Sequence, residues 1–425
     1  MSLASPASPP AATPPARAPL KSLDTALAEL LAHAAPLAGL ETVATFDADG
    51  RVLAQDLYSS LEVPAHDNSA MDGYAVRCAD WPDAAPLDTA PPLPASQRIA
   101  AGHSGQALAP LSVVRIFTGA PIPPGADAVV MQEDCEASEA GVRIRVQPET
   151  GQWIRRRGED VAAGALVLLR GTRLTPAALG LAASIGFDRL QVVPRVRVAL
   201  LSTGDELVMP GEVAPADMKP GAIYNSNRFF LKALLQRLGC TVTDLGIVPD
   251  RLDATIAALE GASQQHDLIL TSGGVSVGEE DHIKPAVQAL GELNLWQIAI
   301  KPGKPFAYGR VGAAHFIGLP GNPVSSLVTF LLLVRPFLLR LQGVADVAPK
   351  STPLTAHFDW PKANPRREFL RVKKDASGGL ALFANQSAGV LTSAVWADGL
   401  LDNPPGQRIA HGDTVQFIPF SELMA

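Results

Sequence analysis

Residues 266–284 read HDLILTSGGVSVGEEDHIK, and the fold is decided by how this stretch is interpreted. Leu268-Ile269-Leu270 is a short apolar run of the kind buried inside a sheet. Ser272-Gly273-Gly274-Val275-Ser276-Val277-Gly278 then forms a turn whose backbone N–H groups can approach a ligand closely. Glu279, Glu280 and Asp281 follow, and a helix is expected to start near His282. Strand, glycine turn and helix start make an anion cradle, because unsatisfied amides and the helix dipole both favour negative charge. Three carboxylates beside it require a divalent cation or a lysine as a bridge to any phosphate. The spacing is neither G-x-G-x-x-G nor a loop ending in Gly-Lys-Ser/Thr. Taken alone, the segment reads equally well as glycine punctuation in a βα turn.

Working outward, strands and helices alternate from Pro194 onward. Strands are expected at VRVALLST (196–203), CTVTDLGIV (240–248), LNLWQIAI (293–300) and HFIGL (315–319). Helices are expected from Asn227 (as cap) to Gln236, at 252–261, at 282–290 and from Val324. This alternation implies a mostly parallel sheet covered on both faces. Beyond Val347 only short strands remain, such as REFLRVKK (367–374) and DTVQFIPF (413–420), which predict a small β-barrel or sandwich. On the other side, 22–35 reads as an amphipathic helix capped by Ser22 or Asp24, and 63–148 as short β runs between Pro/Gly turns. The expected fold class is multidomain α/β plus β. A disordered leader covers 1–19, and an elongated, discontinuous linker domain covers 20–60 and 150–192. A β-rich domain spans 61–149, a doubly wound α/β domain 193–346, and a C-terminal β-barrel 347–425.

The 425 residues carry a formal charge of −7, so no global basic field recruits nucleic acid. Cys78, Cys135 and Cys240 form no C-x-x-C pair, which argues against a disulfide framework or zinc knuckle and suits a reducing cytoplasm. The apolar run 324–341 includes Ser325, Ser326, Thr329 and Arg335 and reads as a buried helix, not a membrane span.

Open α/β sheets bind ligands outside the carboxyl ends of their strands. Those ends carry Thr203-Gly204-Asp205-Glu206, the Ser-Gly-Gly loop, Lys301-Pro302-Gly303-Lys304 and Leu319-Pro320-Gly321-Asn322 with Ser325 beyond. Lys301 and Lys304 bracket a rigid turn that can aim two ammonium groups at one oxyanion. Asp205 and Glu206 suit Mg²⁺, which takes one or two carboxylates plus phosphate oxygens; equally, they are N-terminal turn charges. In the β-rich region, DNSAMDGYA (67–75) and RIFTGAP (115–121) place Asp67 and Thr118 in small-residue turns that ordinary turn chemistry also explains. Asp160 follows an arginine cluster at 155–157 that reads as solvated or carboxylate-paired.

DNSAMDGYA at 67–75, TGAPIPPGADAVVMQED at 118–134, STGDEL at 202–207, TSGGVSVGEED at 271–281, KPGKP at 301–305 and GLPGNPVSS at 318–326 together resemble the MoeA family. Its members are molybdopterin molybdenumtransferases homologous to the E domain of gephyrin. The resemblance implies insertion of molybdate into adenylylated molybdopterin with release of AMP. It also implies dependence on Mg²⁺ and a homodimer whose cleft is shared between subunits. Asp67, Thr118, Asp160, Lys301 and Lys304 become the expected catalytic set. Thr203, Gly204, Ser272, Gly273, Gly274, Ser276, Gly278, Pro320, Gly321, Asn322, Ser325, Arg367, Arg371 and Ser393 are expected to bind the substrate. Asp205, Glu206, Asp267 and Asp281 are the expected metal ligands. Implied protein partners are a molybdopterin adenylyltransferase and apo-molybdoenzymes. An adenylyltransferase-like activity and a gephyrin-like scaffold are the competing readings; the extra β domains disfavour the first, and the lack of a fused adenylyltransferase domain the second.

Overall fold

The structure, a computed structural model, describes residues 20–81, 90–274 and 282–424. Of the expected site, Ser276, Gly278 and Asp281 lie outside the described residues. The chain divides into two compact units, Leu40–Val192 and Met1–Gly39 with Val193–Ala425.

The larger unit is built on a six-stranded sheet. Its order is Thr241–Val248, Arg197–Thr203, Leu268–Ser272, Ala314–Leu319, Pro305–Val311 and Gly291–Gln297. The first four strands are parallel, with Val198 opposite Leu268 and Leu268 opposite His315. Alternate residues of one strand point to opposite faces, and here they enter different cores. Val198, Leu200, Leu268 and Leu270 join the helices Leu23–Ala32, Asn227–Arg237 and the run 323–341. Ala199, Leu201 and Ile269 join Leu252–Ser263 and Ile283–Leu290. The sheet is therefore doubly wound.

Local chemistry explains several boundaries. Ser22 caps the first helix, accepting the Thr25 N–H at 3.1 Å. The run 323–341 widens into a π turn over Phe330–Val334, just before Pro336, which has no N–H for the Leu332 carbonyl. Pro323–Leu341 is long and apolar enough to cross a membrane, yet 94% of its most apolar 18-residue window is buried inside the protein.

Three features depart from expectation. The Pro305–Val311 strand was hidden behind the KPGKP turn; it pairs antiparallel with both neighbours, making the sheet mixed at one edge. Ile300–Lys301 leaves this sheet and pairs in parallel with Arg367–Lys374, Lys301 standing opposite Glu368. Residues 20–39, expected with the linker segments, pack with the α/β unit: Leu23, Ala26 and Leu30 are core residues, and Lys21 bridges Ile298.

The C-terminal strands form a ring. Arg367–Lys374 pairs with Gly399–Asn403, which pairs with Thr414–Pro419, which pairs with Thr352–Thr355. A bridge from Ala356 to Leu380 and the pairing of Leu380–Leu382 with Arg367–Lys374 close it around Leu370, Val372, Leu401, Val415 and Phe417.

In the Leu40–Val192 unit, a four-stranded sheet runs Ala95–Ile99, Val113–Ile116, Gly73–Val76, Ala128–Met131. Chain-distant segments also pair: Glu41–Ala44 with Arg189–Val192, and Leu57–Tyr58 with Leu166–Leu168.

Candidate active site

A cleft of about 690 Å³ opens at the carboxyl ends of the parallel strands. Its walls include Thr203, Ser272, Gly273, Gly274, Pro320, Gly321, Asn322 and Ser325, so these expected substrate-binding residues converge. Asn227 joins two of the loops: its Nδ2 donates to Ser272 Oγ and to the Gly321 carbonyl, each at 2.7 Å. The Gly273 N–H donates to the Leu319 carbonyl at 3.0 Å. Gly274 sits at φ +69°, and a Cβ there would lie 2.6 Å from Ile283 Cγ1 and 3.1 Å from Thr203 Oγ1. Only glycine lets these segments meet so closely.

Pro305 also lines the cleft, so the KPGKP turn abuts it. Lys301 Nζ lies 3.0 Å from Glu368 Oε1, with Glu368 almost fully buried. Among the described residues the Lys304 ammonium has no hydrogen-bond or ion-pair partner.

Of the tail, Arg367, Arg371 and Ser393 do not line the cleft. Arg367 is committed to Asp402 (2.5 Å) and Asp24 (3.0 Å), and the Asp402 carboxylate raises its pKa further. Arg371 is buried and donates to Ser393 Oγ at 3.1 Å and to the Phe369 carbonyl at 3.0 Å. Burial pulls its guanidinium down to about 10. Arg371 and Ser393 instead brace the 385–391 loop: Ser393 Oγ donates to the Val390 carbonyl, and that loop supplies Gly389 to the cleft.

Glu206 lines the cleft and folds back over Gly204, where a Cβ would overlap its carboxylate. Asp205 is exposed beside it. Asp267 cannot join them. It precedes its strand, at the amino ends of the sheet, and is clamped by Arg197 at 2.7 Å. Five strand residues at ~3.3 Å each set it about 16 Å from Ser272. Among the described residues, no group of three or more His, Cys, Asp or Glu is placed to hold a metal.

The other unit gathers its own motifs. Asp67 accepts from the Arg157 N–H at 2.8 Å and from Arg156 Nη1 at 2.7 Å. The Arg157 amide, then the Arg156 guanidinium, hold its carboxyl below the usual range against the opposing effect of partial burial. Thr118 donates both its N–H and its hydroxyl to Asp72 Oδ1, each at 2.8 Å. Gly119 N to Ser69 O (2.8 Å) and Ile122 N to Asp67 O (2.9 Å) stitch the Thr118 loop onto the Asp67 loop. Asp160 is exposed, its N–H bonded to the Val63 carbonyl.

Models of the MoeA N-terminal region (domain I and II), a probable molybdopterin binding domain and the MoeA C-terminal region (domain IV) match residues 21–186, 199–340 and 353–420. A molybdopterin molybdenumtransferase of Haemophilus influenzae is 41% identical over 89% of this chain and 93% of its own length. This chain belongs to the molybdopterin molybdenumtransferase family. A second family member, molybdopterin molybdenumtransferase 2 of Mycobacterium tuberculosis, is 39% identical over 89% of the chain and 93% of its own length. The crystal structure of a molybdopterin biosynthesis MoeA protein from Pyrococcus horikoshii superposes with a TM-score of 0.82 at 26% identity, covering 94% of this chain and all of that one.

Sequence reasoning did not single out Asn225 and Asn227, which line the cleft, Glu368, which accepts from Lys301, or Asp72, which accepts from Thr118. The run Tyr224-Asn225-Ser226-Asn227 lines the cleft, and its polar density between two apolar elements was the available signal. Asn227 reads locally as a helix cap; Ser226 holds that position, leaving the Asn227 amide to reach across to Ser272. Glu368 had no local signal at all.

Proposed function

We propose that this chain inserts molybdate into adenylylated molybdopterin and releases AMP, completing the molybdenum cofactor. The observation that carries this reading is the cleft in which Asn227 clamps the Ser-Gly-Gly loop to the Gly-Asn-Pro loop, beside a turn bearing two lysines. Backbone amides and hydroxyls suit the phosphates of the adenylylated substrate. Lys301 and Lys304 suit molybdate, a second oxyanion. An adenylyltransferase needs one α/β domain and leaves the matches to 21–186 and 353–420 without a role.

Glu206 would hold Mg²⁺, with Asp205 beside it in the chain; Asp281, outside the described residues, is the further carboxylate proposed for the ion. Bound magnesium would lower the charge of the pyrophosphate that is cleaved. Asp67, kept ionised, orients the attacking oxygen and is a poor proton acceptor at neutral pH. Thr118, fixed by Asp72, supplies a hydroxyl to the same ligand. Both come from the second subunit of a homodimer. Support for dimerisation is apolar surface on the Leu40–Val192 unit, where the cross-strand partners Tyr58 and Leu166 are both exposed, as are Phe46 and Leu169. The protein works in the cytoplasm, a reading supported by three free thiols. It receives its substrate from a molybdopterin adenylyltransferase and passes its product to apo-molybdoenzymes.

The test is reconstitution in an extract deficient in molybdate insertion. Added protein with molybdate should restore an apo-molybdoenzyme to activity. No restoration, with the protein folded and adenylylated molybdopterin present, would contradict the proposal.

A further inference from the structure

We infer that Glu368, a residue of the C-terminal ring outside the cleft wall, is the positioning residue for Lys301. The inference rests on the reading above, in which Lys301 meets the oxyanion.

Glu368 is 1% exposed. Its Oε1 accepts from Lys301 Nζ at 3.0 Å and Asn364 Nδ2 at 3.3 Å. Its Oε2 accepts from Trp360 Nε1 at 2.7 Å and Asn403 Nδ2 at 3.4 Å. An ionised carboxylate offers about four lone-pair sites, and here each has a donor. Lys301 is the one full cation among those donors, and its ammonium stands 5.9 Å from the centre of the Trp360 ring. The backbone repeats the pairing, since Lys301 and Glu368 are register partners in the parallel ladder.

A barrel core gains little from such a group. Replacing a buried ion pair by apolar residues is often neutral or stabilising, because desolvation offsets the attraction. A free lysine, by contrast, is a flexible four-carbon stem ending in a mobile charge. Glu368 removes that freedom: one ammonium N–H is spent on Oε1, and the others stay available on a side chain that remains 38% exposed. Lys304 has no such anchor among the described residues. The ring thus reaches the reaction through one side chain, converting Lys301 from a loose charge into a directed donor.

The experiment is a double-mutant cycle on molybdate-dependent AMP release, using the full-length protein with adenylylated molybdopterin. Glu368→Gln keeps the shape but turns an amide NH₂ toward groups that are all donors. It should lower kcat/KM for molybdate by about 10²-fold, as expected for a reacting partner displaced by about 1 Å. AMP affinity, read by calorimetry, should be unchanged. In a Lys301→Ala background the same change should cost nothing further, because Glu368 acts only through Lys301. Losses that multiply, or AMP affinity falling in parallel, would overturn the inference and leave a structural role. Wild-type kinetics for Glu368→Gln beside an impaired Lys301→Ala would also overturn it. An unimpaired Lys301→Ala would overturn the Lys301 assignment itself, and with it the role of Glu368. Should Glu368→Gln not fold, Trp360→Phe removes the 2.7 Å donor to Oε2 and keeps the Lys301 bond. Its smaller loss should likewise vanish without Lys301; a loss that persists there would overturn the inference.

Discussion

Asp67 accepts a hydrogen bond at each carboxylate oxygen, from the Arg157 amide at Oδ1 and the Arg156 guanidinium at Oδ2. An exposed pair of this kind contributes only ~0–1 kcal/mol. Asp67→Ala should therefore keep the melting temperature within a few degrees while AMP release falls by ~10²-fold or more. Normal release from that variant would remove Asp67 from the mechanism. Asn227 is the opposite case, buried and bonded to two loops at once. Asn227→Ala should cost about 1–3 kcal/mol in denaturant unfolding, the usual penalty for orphaned buried partners. It should also weaken AMP binding by calorimetry; unaltered affinity would show that the clamp does not shape the cleft. The two residues differ in legibility for a physical reason. Asp67 sits in a turn whose composition is conspicuous, whereas the Asn227 contact to Ser272 crosses 45 residues of chain. No local pattern encodes it.

Among the elements, the KPGKP turn depends on Gly303. Its φ is +108°, and a Cβ would overlap the Thr329 hydroxyl and stand 3.4 Å from the Ser325 carbonyl. Gly303→Ala should push the turn off the helix, costing on the order of 1–3 kcal/mol and most of the molybdate-dependent activity. A variant with wild-type stability and rate would contradict the packing described. The Ala314–Leu319 strand carries His315, buried against Tyr308, whose hydroxyl lies 3.0 Å from Nδ1. Burial, and secondarily Arg310, lowers its pKa from 6.5 to about 4. Between those values the unfolded chain binds the extra proton, so stability falls as pH drops, by at most ~1.4 kcal/mol per pH unit. Above pH 6.5 both states are neutral and the contribution is flat. His315→Asn should flatten the slope of unfolding free energy between pH 6.5 and pH 5; an identical slope would refute the assignment. The double winding was legible from the alternation of strands and helices, whereas the strand register was not. The Pro305–Val311 strand was not legible either, because its opening proline reads as the end of a turn.

For the whole molecule, the proposal requires Asp67 and Lys301 from different subunits. Mixing Asp67→Ala with Lys301→Ala chains should restore up to about a quarter of wild-type activity, since random pairing gives half heterodimers with one intact cleft each. No recovery in verified heterodimers would place each cleft within one chain. The motifs named the family because six of them occur in order across both units. They did not show that Arg367 serves Asp402, that Asp267 faces the wrong end of the sheet, or that Glu368 holds Lys301. Each of those facts is a pairing between distant strands, fixed only once the ring and the sheet are assembled. AMP release by purified protein, followed anaerobically with adenylylated molybdopterin, Mg²⁺ and varied molybdate, bears most directly on the assigned activity. Release that rises and saturates with molybdate is the expected result; nucleotide bound tightly but not released on adding molybdate would contradict it.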